Sequence, residues 1–184
     1  MAAYVQAAIP EPYRVLGKRL KPFCLGHQLL LERFGCSFAS GGPHGFADLI
    51  LGVFICSQTY EQALESLNSR WVLLRVKLWG LFWRRFDYIE KIKLFDLYVS
   101  EAKQQPQFWI EREGRESNIP FNQFLKSKLM QELGMGESEA LNTPYQSAIW
   151  NFCTWLESEG AIRLFSERDI ALIEAAKRTE VACP

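Results

Sequence analysis

Apolar residues in this chain of 184 residues come in short clusters, and turn-forming residues punctuate them at intervals that suit helices of two to four turns. The run KPFCLGHQLLLERFG predicts a helix over residues 22–34, with Pro22 in its first turn and Gly35 just past its end. Ser40, Gly41, Gly42 and Pro43 make a loop. Residues 46–56 form an almost unbroken apolar segment that reads as a buried helix, with Asp48 complementing the dipole in its first turn; a buried strand is the alternative. Thr59 and Gln62 have the spacing of a reciprocal cap, and a third helix starts there. Asp87 and Glu90 repeat that spacing, so either one long helix kinks near Phe86 or two helices meet there. Pro106 ends this region, and the stretch beginning at Phe108 reads as a short strand or a loop. Further helices are expected over residues 121–133, from Thr143-Pro144 to about Glu159, and from Ser166 to about Arg178. In the second of these, Ile149, Phe152, Cys153 and Leu156 share a face; in the last, Ile170, Leu172 and Ile173 supply the apolar contact. The fold class is therefore mostly all-α: an irregular multi-helix domain with a short strand near residues 107–112.

One stretch breaks the pattern. Between Arg70 and Phe86 there are five basic residues and no acidic one. At 100° per residue, Trp71, Val72, Leu74, Val76, Leu78, Trp79, Leu81, Phe82, Trp83 and Phe86 cover well over half of the helix surface. Leu73, Lys77, Gly80 and Arg84 fill the narrow remainder. The favoured expectation is a central helix enclosed by its neighbours, with Arg75 and Arg85 reaching outward. The competing expectations are a protein-binding surface built from Trp71, Trp79, Phe82, Trp83 and Phe86, and a basic amphipathic helix lying on a membrane.

Composition narrows the function classes. Twenty-one basic residues balance 21 acidic ones, which argues against a free-standing nucleic-acid binder. The first hundred residues hold 12 basic and 8 acidic side chains, and the rest hold 9 and 13. With Pro106, that shift suggests an N-terminal helical part, 1–105, and a C-terminal helical part, 106–184, unless both share one compact domain. The five cysteines are odd in number and irregularly spaced, and the opening residues lack the features of a secretory leader; a reducing, cytoplasmic setting is expected. No uncharged apolar run reaches the roughly 18–20 residues that cross a bilayer.

Candidate chemistry is sparse. Cys24, His27, Cys36 and His44 are the only grouping of metal-ligand types, but their spacing matches no zinc site closely, and buried thiols beside a hydrogen-bonded histidine are the expected arrangement. Cys24 with His27 is the only local nucleophile–base pairing, in a helical context that turns it toward apolar neighbours. Glu111, Glu113 and Glu116 read as a solvated charged loop, and GGPHG is no phosphate loop. The residues thus predict no catalytic site, no metal and no cofactor.

Two runs carry a resemblance. LGKRLKPFCLGHQLLLERFG resembles the opening of phage tail assembly chaperones, and MGESEALNTPYQSAIWNFCTWLESEGAIRLFSERD is similar to small phage and prophage proteins encoded beside tail genes. The resemblance covers about a third of the chain and implies a non-enzymatic cytoplasmic protein that binds the long helical tape-measure protein before the tail tube forms, with no cofactor. A structural component of the phage particle and a peripheral membrane protein are the alternatives, and self-association is compatible with each.

Overall fold

The computed structural model describes residues 13–86, 88–111, 118–166 and 168–173. The chain opens with a two-stranded hairpin, β1 (Arg14–Val15) and β2 (Lys18–Arg19), paired Arg14 to Arg19 and Val15 to Lys18. Its turn places Leu16 and Gly17 at φ 48° and 75°, the two positive values that a tight hairpin turn of this hand requires. Helices α1 (Leu25–Arg33), α2 (Ser37–Ser40), α3 (Phe46–Cys56), α4 (Tyr60–Asn68), α5 (Arg70–Trp83) and α6 (Ile89–Ala102) follow. After β3 (Phe108–Ile110) come α7 (Phe121–Glu132), α8 (Glu137–Asn142), α9 (Tyr145–Ser158) and β4 (Ile162–Leu164), and residues 168–173 are helical. β3 and β4 pair antiparallel with Trp109 opposite Arg163. The protein is mostly helical, with two short two-stranded sheets, and the expected strand near 107–112 is β3.

Local signals explain several helix ends. Thr59 Oγ1 accepts from Gln62 N (3.4 Å) while Gln62 Oε1 accepts from Thr59 N (3.2 Å), the reciprocal cap expected for α4. Asp169 and Ser166 cap each other in the same way. Two other starts differ from expectation because distant backbone claims them. α1 begins at Leu25, three residues after Pro22: Cys24 is extended and bridges Pro144, and Leu25 N donates to the Thr143 carbonyl. That crossing also occupies the start of α9, where the Thr143 hydroxyl donates back to the Glu139 carbonyl (2.8 Å) and caps nothing ahead of it. Leu172 faces solvent instead of supplying an apolar contact. The Asp87 cap, and the last helix beyond residue 173, lie outside the described residues.

The core is one continuous set of buried side chains drawn from both sides of Pro106. It includes Val15, Leu25, Leu31, Leu49, Val53, Phe95, Leu125, Leu129, Ile149 and Phe152. At its centre the Phe95 ring presses on the backbone of α3, where a Cβ at Gly52 would sit 2.6 Å from Cε1. A polar relay running from the core to the surface ties the halves: Tyr145 OH donates to Asn122 Oδ1 (2.8 Å), and Asn122 Nδ2 donates to the exposed Glu32 at Oε1 (2.5 Å). Burial pushes the Tyr145 hydroxyl up to about 12, so it remains a donor. Among the described residues, no helix is long and apolar enough to cross a membrane.

Candidate functional site

The aromatic helix does not occupy the centre of the molecule. Of the residues in α5, only Gly80 is buried. Trp71 is 77% exposed, Leu78 and Leu81 59% each, and Phe82 55%. The expectation of a helix enclosed by its neighbours is therefore corrected. The reason is geometric: one side of α5 suffices to cover α3 and the hairpin, and the apolar arc extends far beyond that side. Val72, Val76, Trp79 and Trp83 form the inner side and pack on the core. The hairpin covers part of it: Lys18 Nζ lies 5.3 Å from the centroid of the Trp79 ring, and Gly17 lies against Trp83. Phe82, Trp83 and Phe86 cluster with centroids 5.4–5.6 Å apart. Of the five residues expected to bind protein, Trp71, Phe82 and Phe86 are exposed, whereas Trp79 and Trp83 are half-buried.

The four positions left outside the apolar arc, together with Val76 and Leu81 at its two edges, form the wall of a groove. Leu73, Val76, Lys77, Gly80, Leu81 and Arg84 face Phe46, Ala47, Ile50 and Leu51 of α3, with Tyr88 at one end. The groove encloses about 680 Å³ and is lined mainly by carbon. At Gly80 the two helices pack so that a Cβ would rest on the Ile50 side chain at 3.5 Å, an ordinary contact distance. Lys77 and Arg84 are exposed at the groove, and Arg70, Arg75 and Arg85 are exposed elsewhere on the same segment. Among the described residues, none of these five cations has an ion-pair partner. The helix wheel alone contained the α5 half of this groove; nothing in the sequence paired it with α3, because that contact spans about thirty residues of chain and depends on packing.

The four metal-ligand types do not converge. His27 Nε2–H donates to the Gln58 carbonyl (2.8 Å), and its Nδ1 accepts from Cys24 N–H (3.3 Å). His44 lies 2.9 Å from Ser37 Oγ through Nδ1 and 3.3 Å from Asp96 Oδ1 through Nε2, and it stacks on Phe38 at 4.0 Å. That row ties α2 to α6. Among the described residues, no group of three His, Cys, Asp or Glu side chains is placed to hold a metal ion.

Cys24 and His27 border a small cavity of about 230 Å³ with Lys21, Gln58, Thr59 and Asn142. Burial pushes the Cys24 thiol up to about 12 and the His27 ring down to about 4. At neutral pH the pair is thus thiol and neutral imidazole, and Nδ1 is already committed to a backbone amide. Cys36 is pushed up to about 11 and Cys56 well above its ordinary range, both by burial. Cys24, Cys36, Cys56 and Cys153 are free and buried, as small apolar side chains.

Comparison with known proteins gives no match to a family model, a curated protein or a solved structure.

Proposed function

We propose that this chain is a non-enzymatic protein-binding module that holds an amphipathic helix of a client in the groove between α3 and α5. The observation that carries this reading is the groove itself: about 680 Å³ of carbon-lined space open at the surface, beside a helix whose outer side exposes Trp71, Leu74, Leu78, Phe82 and Phe86. A monomer normally covers so large an apolar area, and helix-in-groove recognition uses such a surface. The client that the sequence resemblance suggests is a phage tape-measure protein, with the chain acting as its assembly chaperone in the cytoplasm. That identification rests on the two resembling runs alone.

The test is co-expression with the tape-measure protein encoded in the same genome, followed by co-purification. Leu73→Asp with Leu81→Asp places two charges in the groove at exposed positions, so the fold persists and the client should be lost. Co-purification that survives this pair would place the client elsewhere, and a tape-measure protein that never co-purifies removes the chaperone assignment. A second reading is favoured by one observation, the mixture of exposed aromatic and arginine side chains on the outer side of α5, which also suits an anionic bilayer. Co-sedimentation with phosphatidylglycerol vesicles, lost in high salt, would support it. Recovery of the chain in purified particles would instead favour a structural component.

A further inference from the structure

The groove carries a charge register as well as an apolar surface. Lys77 and Arg84 both line it, seven residues apart on one helix. Helical geometry continues through Arg84, whose N–H donates to the Gly80 carbonyl at 2.9 Å. Seven residues make about two turns, so the two cations project from nearly the same side of α5, about 10 Å apart along its axis. Between them the α5 wall offers Gly80 and Leu81, and α3 offers Ile50 and Leu51 opposite. No acidic residue occurs between Arg70 and Phe86, and among the described residues neither cation has an ion-pair partner. From Leu73 to Arg84 the wall is about 16 Å long, enough for roughly three turns of a docked helix.

We infer that the groove selects a client helix bearing two carboxylates seven residues apart, with apolar residues three and four positions after the first; this rests on the docking reading above. A helix lying along α5 presents side chains at the same rise per residue. Its acidic pair then meets Lys77 and Arg84 together, while its apolar stripe enters the space over Gly80 and Ile50. A second copy of this chain is a poor occupant by the α5 surface, because packing α5 on α5 would set Arg75, Lys77, Arg84 and Arg85 against their equivalents.

The test uses the full chain and three synthetic helical peptides of about 18 residues with one leucine stripe. The first carries two glutamates seven apart beside the stripe, the second carries lysines at those positions, and the third carries its glutamates four apart. Isothermal titration at low salt should give the first peptide about tenfold tighter binding than the second, with the third between them. Raising the salt should erode that preference. Lys77→Glu with Arg84→Glu, both exposed, should reverse the order of the first two peptides. Equal binding of all three peptides, abolished by Leu73→Asp with Leu81→Asp, keeps groove docking and overturns the charge register. Binding of no peptide overturns the docking reading and the register together. A dimer that dissociates when Leu81→Asp is introduced gives the groove to a second copy and overturns the register.

Discussion

His27 makes the stability of this fold acid-sensitive, and the size of the effect follows from its surroundings. The ring is buried, its Nε2–H is donated to the Gln58 carbonyl, and its Nδ1 accepts the Cys24 amide. A second proton would put an N–H on Nδ1, directly against the amide N–H that now donates to it. Burial is the largest cause that lowers the ring to about 4, from an ordinary 6.5. The unfolded chain therefore binds one more proton than the folded chain between those two values. Stability is unaffected by this group above pH 6.5 and falls as pH drops through the window, by about 1.4 kcal/mol per pH unit at its steepest. Complete loss by pH 4 amounts to about 3 kcal/mol, a large fraction of a typical domain's 5–15 kcal/mol. Urea unfolding followed by far-ultraviolet circular dichroism at pH 7.5, 6.5, 5.5 and 4.5 measures it. His27→Gln keeps a donor for the Gln58 carbonyl and removes the titration, so subtracting the two curves isolates His27 from the carboxylates. Parallel curves would refute the reasoning, as would an NMR titration in which the His27 ring protonates near 6.5 in the folded protein.

Three further outcomes test the packing. Gly52→Ala should destabilise by roughly 1–3 kcal/mol, because its Cβ would press on the buried Phe95 ring, whereas Gly80→Ala should be neutral or stabilise by up to about 1 kcal/mol, its Cβ resting on Ile50 at an ordinary contact distance. Chemical denaturation of the two variants side by side checks this. Trp71→Ala and Phe82→Ala should leave the unfolding free energy unchanged within about 0.5 kcal/mol, while Phe95→Ala should cost about 3–5 kcal/mol. In the native protein, a thiol reagent at pH 7.5 should leave Cys24, Cys36 and Cys56 unmodified, since burial keeps these thiols protonated and out of reach; modification should appear only as denaturant opens the fold.

Signals confined to a few neighbouring residues were legible in the sequence. The Thr59–Gln62 cap, the apolar run of α3 and the αL glycine at position 35 each encode their structure within one turn. The starts of α1 and α9 were not, because Cys24 and Pro144 meet across more than a hundred residues. The N-terminal hairpin depends on Leu16 adopting a positive φ that its side chain disfavours, so no turn signal announced it. The candidate site falls between these cases. Periodicity gave the wide apolar arc of α5 correctly, but an arc wider than a helix needs is equally the mark of a core helix and of an uncovered one. Which of the two holds is set by how many neighbours reach it, and among the described residues α3, the hairpin and the adjoining α4 reach one side and leave the other open. Trp79 and Trp83 therefore turned inward while Leu73, Lys77, Gly80 and Arg84 became the wall of the groove.

Whether the groove is a protein-docking site is tested most directly by site-specific photo-cross-linking. A benzophenone side chain is placed at Leu81 in the groove wall and, separately, at Leu133, which is also exposed but lies at the end of α7, outside the groove. Each variant is co-expressed with the tape-measure protein of the same genome and irradiated. A cross-link is expected from position 81 to one helical segment of that protein, and none from position 133. Equal capture from both positions, or capture from position 133 alone, would contradict it.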